Sequence, residues 1–478
     1  MSLIELRKQL DNKEISAPEL TRQYLSRIAK VDPQLNSYIT VCTEQAEKAA
    51  VHAQEEIDRG NQGPLTGIPY AVKDIFCTKD IRTTAGSHIL KEYIPPYSAT
   101  AVEKCQDAVL LGKTNMDEFA MGSSTEYSAF GPTKNPFDLT RVPGGTSGGS
   151  TAAVAADLAV FALGTDTGGS IRQPASFCNV VGLKLTYGRI SRYGVIASAS
   201  SLDTVGIITQ NVADGAYVLK QLAGHDPLDA TTSPVPIDDY LNSLEKTVSG
   251  LRVGIPKEYL ELAGLDPRIK ERFLAVQKVL AKLGVGVEEI SLPHSRYGLA
   301  TYYILNPSEN SSNLARYDGI QYGRPAKGAN SLDEVYTKTR EEGFGAESKR
   351  RIMIGTFCLS AGYYDAYYKQ AQKVRTLVSE DFTKAFEQVD VIMSPTSPTL
   401  PFKLGERESD PLSMYTSDIY TIPASLAGLP AFSLPAGAVD NLPVAVQLIA
   451  PQFAEKRILQ LGYHLEQSFD FPKPKLVV

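Results

Sequence analysis

RVPGGTSGGSTAAVAADLAVFALGTDTGGSIRQPASFCNVVGLKLTYGR, residues 141–189, carries two glycine-and-hydroxyl clusters, residues 144–150 and 164–170. An apolar, alanine-rich run, residues 151–163, joins them. Successive glycines let backbone N–H groups converge on one point, because no Cβ blocks positive φ. Such a concavity suits an anion, either a bound phosphate or the oxyanion of an attacked carbonyl. One cluster alone reads as a flexible loop. Two of them, both bearing hydroxyls and flanking a run apolar enough for a buried helix, read as a nucleophile site.

Upstream, Gly67-Ile68-Pro69-Tyr70-Ala71-Val72-Lys73-Asp74-Ile75-Phe76 is short, continuous and partly β-branched, as in a buried strand. Lys73 interrupts it. Such a lysine either snorkels to water, the usual fate, or is buried with a partner and a lowered pKa, ready to act as a general base. Residues 108–114 read as a strand ending in Gly112-Lys113-Thr114. A phosphate-binding P-loop would need its first glycine at position 107, which is Asp107, so nucleotide binding is rejected there.

The rest of the chain supplies an α/β frame. The first sixty residues read as helical, with Ser16-Ala17-Pro18-Glu19 opening one helix and residues 44–59 forming another. Residues 251–256 and 285–292 read as strands joined by a helix. Asp266 caps that helix, Ile269, Phe273, Val276, Leu280 and Leu283 keep helical spacing along it, and Gly284 ends it. This is a βαβ unit, which predicts a parallel or mixed sheet with helices on its faces. Residues 297–373, rich in tyrosine and arginine, read as mainly amphipathic helix, and the tail alternates strand-like pieces with proline turns. No repeat or linker breaks the chain, so residues 1–478 read as one domain: a helical region 1–60, a catalytic core of about 61–210 and a helical substrate side of about 295–390.

Composition narrows the function. The 478 residues are 43% hydrophobic and carry a net charge of −6, which disfavours direct grip on a nucleic-acid backbone. The five cysteines (Cys42, Cys77, Cys105, Cys178 and Cys358) are scattered without a CxxC, as for free thiols in a reducing compartment. No run approaches the ~18 apolar residues of a membrane span. MSLIELRKQL opens an amphipathic helix without the apolar core of a secretory signal, so a soluble cytoplasmic protein is expected. No HExxH or ligand-spaced Asp/His/Cys group points to a metal.

The five histidines lie away from both glycine clusters. Residues 145–149 satisfy G-x-S-x-G, but Arg141-Val142-Pro143 stands where a nucleophile elbow needs a strand. A Ser–Lys arrangement explains more, with Lys73 as base and a glycine-cluster serine as nucleophile.

These residues, GGTSGGS…GTDTGGSIRQP…FCNVVGLKLTYGR with a lysine in AVKD, resemble the amidase signature family. The resemblance implies one α/β/α domain around a large mixed β-sheet flanked by helices, and a Ser-cisSer-Lys triad. Carried over, Ser170 is the acyl-forming nucleophile and Lys73 the base, and the N–H groups of Thr167, Gly168, Gly169 and Ser170 form the oxyanion hole. The relay hydroxyl falls on Thr146, where the family has serine; Ser147 is the alternative.

LGKTNMDEFAMGSSTEYSAFGPTKNP, PSENSSNLARYDGIQYG, EEGFGAESKRRIMIGTF and MYTSDIYTIPASLAGLPAFSLP are further similar to one branch, the A subunits of glutamyl-tRNA(Gln)/aspartyl-tRNA(Asn) amidotransferases. That branch hydrolyses glutamine and passes ammonia to a B subunit, which holds and activates the mischarged tRNA with ATP and magnesium, while a C subunit braces the heterotrimer. The glutaminase chain itself takes no cofactor. By that resemblance glutamine binding would fall on Tyr302, Arg351 and Asp418, and the chemistry agrees: a guanidinium suits an α-carboxylate and a carboxylate suits an α-ammonium. Read alone, Arg351 is equally a helix-surface charge and Asp418 a loop cap. The competing readings are a stand-alone amidase and a non-catalytic scaffold.

Asn179, Leu185, Ala445 and Ala450 depart from glycine, proline, glycine and glycine of the family motifs, and residues 102–109 are shorter than usual. These departures surround the fold, so they are expected to alter stability before reaction.

Overall fold

The computed structural model describes residues 2–469 and residue 474. Eleven strands form one sheet: β1 (Tyr38–Val41), β2 (Pro69–Lys73), β3 (Val109–Thr114), β4 (Phe161–Asp166), β5 (Val181–Lys184), β6 (Thr204–Thr209), β7 (Arg252–Pro256), β8 (Gly286–Ile290), β9 (Val391–Pro395), β10 (Ala431–Val439) and β11 (Leu442–Ile449). Their order is β1-β3-β2-β4-β6-β5-β10-β11-β9-β7-β8. β2 runs parallel to β3 and β4, and β7 runs parallel to β8 and β9. The pairs through β6, β5, β10 and β11 are antiparallel, so the sheet is mixed, as expected.

Alternation along a strand shows that both faces are covered. On β9, Val391 and Met393 enter one apolar core while Ile392 enters the other. On β10 and β11, Phe432 and Leu448 take the first core and Ala431 and Ile449 the second. The βαβ unit forms as read: Asp266 accepts the Arg268 N–H at 2.9 Å, the helix Pro267–Lys282 buries Ile269, Phe273, Val276 and Leu280, and Gly284 turns at φ +73°.

Three local readings change. Residues 1–60 hold helices Leu3–Asp11, Ala17–Leu35 and Thr43–Arg59, but also β1, an edge strand antiparallel to β3. Residues 151–163 are not one helix. The helix Gly148–Ala155 ends, Asp157 takes φ +58°, and the chain enters β4. In the tail, the stretch around Pro423 is a short helix, Ile422–Leu426, and not a strand-like piece. Asp107 is structural, since its carboxylate accepts from the Leu65 N–H at 3.3 Å and the Thr66 hydroxyl at 3.1 Å, closing the turn before β3. Asn179 ends the helix Arg172–Cys178 in the left-handed region at φ 57°, a conformation asparagine tolerates better than most side chains. Among the described residues, no helix is long and apolar enough to cross a membrane.

Candidate active site

Lys73 ends β2, a strand flanked by parallel neighbours on both sides, so its side chain has no route to water. The usual snorkelling fate is therefore overturned: the residue is fully buried. Its Nζ donates to Thr146 Oγ1 at 2.7 Å and to Thr165 Oγ1 at 2.9 Å. Burial pulls its pKa down to about 7, against the opposing pull of Asp117, Asp203 and Asp166. The amine thus exchanges protons near neutrality, as a general base requires.

Thr146 reaches the lysine because the first glycine cluster folds tightly around it. Gly144 sits at φ +88° and the Gly145–Thr146 peptide is cis. The Gly145 N–H donates to Gln173 Oε1 at 2.9 Å, and the Thr125 hydroxyl donates to the Gly144 carbonyl at 2.8 Å. A Cβ on Gly145 would lie 2.3 Å from Asp117 Oδ2, so only glycine fits there. Of the two hydroxyls considered for the relay, Thr146 is the one on Lys73. Ser147 is turned away, donating its hydroxyl to the Thr165 carbonyl at 3.1 Å and its N–H to the Ser170 carbonyl at 3.1 Å.

The second cluster follows β4. Among the described residues, the N–H groups of Thr167, Gly168, Gly169 and Ser170 donate to no backbone acceptor, leaving them available to an oxyanion. The loop is anchored at both ends. The Thr167 hydroxyl donates to Asp203 Oδ1 at 2.8 Å, and Asp166 accepts from the N–H groups of Ile171 and Arg172 at 3.2 and 3.3 Å. Arg172 closes a fork on Asp166 at 3.0 and 2.9 Å, both side chains fully buried. Its remaining donors go to the Thr421 carbonyl, Gln447 and Ser425. Burial pushes the Asp166 carboxyl up, but the guanidinium more than offsets this and holds it ionised.

The residues expected to bind substrate come from distant elements, and two of them, Tyr302 and Asp418, reach this same loop. Tyr302 lies on the helix Gly298–Leu314, Arg351 on the helix Ala346–Leu359, and Asp418 in the turn before Ile422–Leu426. A Cβ on Gly168 would fall 2.7 Å from the Tyr302 ring, and one on Gly169 would fall 3.0 Å from Asp418 Oδ1. The second pair of glycines thus makes room for Tyr302 and Asp418 as well as for the loop. Arg351, 1% exposed, is a buried group and not a helix-surface charge. Its Nε donates to Glu347 at 2.8 Å and its Nη1 to Asn306 at 3.1 Å, with Tyr303 and Tyr415 stacked on it. Nη2 is buried without a partner, and so is Asp418 Oδ1, whose sister oxygen accepts from Ser123 at 2.8 Å. Burial pushes Asp418 up to about 8. An unpaired donor on a cation and an unpaired oxygen on an acid are costly unless a ligand completes them.

Thr165, Asp117, Ser123, Glu347 and Asn306 belong to this constellation, although the sequence pattern does not single them out. Thr165 has one usable signal: on β4 it precedes Ser170 by five residues, inside the same cluster. The others act through contacts across the chain, which no local pattern marks. Among the described residues, no group of three or more histidine, cysteine, aspartate or glutamate side chains is arranged to hold a metal.

Comparison with known proteins gives the family. The family model described as Amidase matches residues 19–459. The chain is 55% identical over 471 residues to the A subunit of glutamyl-tRNA(Gln) amidotransferase from Geobacter metallireducens, covering 98% of this chain and 97% of that one. It is 53% identical over 474 residues to the same-named protein of Desulfatibacillum aliphaticivorans, covering 98% of each. The crystal structure of the corresponding protein from Thermotoga maritima, which bears the same name, superimposes with a TM-score of 0.83 at 42% identity, covering 100% of this chain and 98% of that one.

Proposed function

This chain belongs to the amidase family, and from that footing we propose that it is the glutamine-hydrolysing subunit of a glutamyl-tRNA(Gln) amidotransferase. The observation that carries the proposal is the meeting of two halves at the paired glycine clusters. On one side a lysine poised near neutrality holds the Thr146 hydroxyl. On the other, a buried guanidinium nitrogen and a buried carboxylate oxygen await a partner.

The chemistry follows from the contacts. Neutral Lys73 accepts the Thr146 proton as Thr146 takes that of Ser170, and Ser170 Oγ attacks the side-chain carboxamide of glutamine. The N–H groups of Thr167, Gly168 and Gly169 hold the oxyanion. The proton returns through Thr146 to the leaving nitrogen, ammonia departs, and water releases glutamate from the acyl-enzyme by the same relay. Arg351 Nη2 takes the α-carboxylate and Asp418 Oδ1 the α-ammonium, with Tyr302 closing the wall.

In this proposal the chain works in a cytoplasmic heterotrimer with amidotransferase B and C subunits. The B subunit holds Glu-tRNA(Gln), and in some settings Asp-tRNA(Asn), and uses ATP and magnesium; this chain needs no cofactor of its own. The net charge of −6 and five buried free thiols support a partner-held tRNA and a reducing compartment. The test is ammonia release from glutamine by the co-expressed complex, comparing wild type with Lys73→Ala and Ser170→Ala. Activity that vanishes in both variants supports the mechanism. Activity that survives Ser170→Ala removes it.

A further inference from the structure

Two neighbouring acids, Asp117 and Glu118, face opposite halves of the site. Asp117 accepts from the N–H groups of Thr125 and Tyr127 at 2.9 and 3.0 Å, and the Thr125 hydroxyl in turn holds the Gly144 carbonyl at 2.8 Å. This acid therefore shapes the loop that carries Thr146. Glu118, 3% exposed, is aimed elsewhere. It accepts from the Ser87 hydroxyl at 2.5 Å, from the Gly345 N–H at 2.8 Å and from the Ser348 hydroxyl. Gly345 is the N-cap of the helix Ala346–Leu359, and Ser348 lies one turn before Arg351 on that helix. A carboxylate there meets the positive end of the helix dipole as well as unpaired N–H groups.

Glu347 also touches Arg351, but it rides on the same helix, and its bond from the Tyr415 hydroxyl at 3.0 Å ties that helix to the turn before Asp418 and not to either glycine cluster. Glu118 ties the helix to the other side of the site, its bonds spanning more than two hundred residues of chain. Immediately beyond it, Phe119 and Ala120 take φ 47° and 57°, a backbone that reverses direction and leaves the acid facing the helix end.

We propose that Glu118 is a positioning residue for substrate recognition: it ties the start of the helix Ala346–Leu359 to the segment whose preceding residue, Asp117, holds the Gly144 loop through Thr125, and so sets where Arg351 presents its free guanidinium nitrogen. The inference rests on the glutamine reading of the pocket. Displacing the helix moves the carboxylate clamp while the Lys73–Thr146 contact stays in place, so binding suffers before chemistry.

The experiment uses the co-expressed complex with Glu118→Gln, Ser348→Ala and Arg351→Ala. It measures glutamine KM and kcat, together with the rate at which a small sulfonyl fluoride labels Ser170. The label reads the nucleophile without an α-carboxylate. The expected result for Glu118→Gln is a KM raised about tenfold, with kcat and labelling within about threefold of wild type. Ser348→Ala, which removes a single bond and preserves the helix, shifts KM in the same direction by less. If Arg351→Ala raises KM but Glu118→Gln and Ser348→Ala leave it unchanged, the positioning role is overturned alone. An equal fall in kcat and in labelling overturns it too, because the acid would then serve the fold as a whole. If Arg351→Ala itself leaves KM unmoved, the glutamine pocket falls and this inference with it.

Discussion

Lys73 Nζ donates to Thr146 Oγ1 at 2.7 Å, and the lysine is fully buried between parallel strands. Its second contact, 2.9 Å to Thr165 Oγ1, is also to a hydroxyl, so no carboxylate binds it directly. The amine is stabilised by hydroxyls that serve its neutral form as well as its charged one.

The pH dependence of the reaction follows. Burial places Lys73 at about 7, and only the neutral amine accepts a proton. The kcat for ammonia release is expected to rise as pH passes through about 7 and then level off. Lys73→Ala should lose about 10⁴-fold and show no such limb. A rate that is flat from about pH 5.5 to 8.5 would contradict a lysine base.

The relay hydroxyl can be assigned by comparing neighbours. Thr146→Val keeps the shape and deletes the hydroxyl, so kcat should fall by about 10²–10⁴-fold. Thr146→Ser should retain activity within about tenfold, since the hydroxyl survives. Ser147→Ala removes a bond to the Thr165 carbonyl. It is expected to cost about 1 kcal/mol of stability with little change in kcat, as read by thermal unfolding beside the ammonia assay.

Asp418 should couple glutamine binding to protons. Burial raises it to about 8, while pairing with an α-ammonium requires the ionised form. Glutamine KM is therefore expected to fall as pH rises towards about 8. Asp418→Asn should raise KM about 10²-fold and abolish that trend, leaving the kcat limb of Lys73 intact. A KM trend persisting in the asparagine variant would assign the titration to another group.

Beside the site, Lys113 and Asp74 form a fully buried pair at 3.3 Å, with Lys113 also donating to the Phe76 carbonyl and to Thr83 at 2.7 Å each. Removing one member strands the other charge. Lys113→Met is expected to lower stability by about 3–5 kcal/mol, and the double variant with Asp74→Asn to recover part of it. Denaturant unfolding of the two variants decides this.

Local pattern carries the frame well and the site unevenly. Residues 251–292 write their βαβ unit plainly, because the strand runs, the Asp266 cap and the Gly284 stop each act within a few residues. The strand β1 is hidden: four residues between helices offer no periodicity, and their pairing partner, β3, lies some seventy residues away. Lys73 is ambiguous for a related reason. Its burial depends on β3 and β4 closing on either side, which the stretch around it does not encode. Ser170 is legible through its glycines and its resemblance to the family motif, whereas Asp117 and Glu118 acquire their roles only when the chain folds back on itself.

In the proposed mechanism base, relay and nucleophile come from residues 73–170, while Tyr302, Arg351 and Asp418 come from a stretch that begins more than a hundred residues later. The two stretches touch at Gly168 and Gly169 and are joined through Glu118, through the Ser123 bond to Asp418 and through the Thr421 bond to the Gly168 carbonyl. On that proposal, how an amide is broken and which amide is chosen are written in separable passages of the chain. By the same proposal specificity can be rewritten, by drift or by grafting, along the seam where these bonds cross, without reopening the proton circuit of Lys73, Thr146 and Ser170.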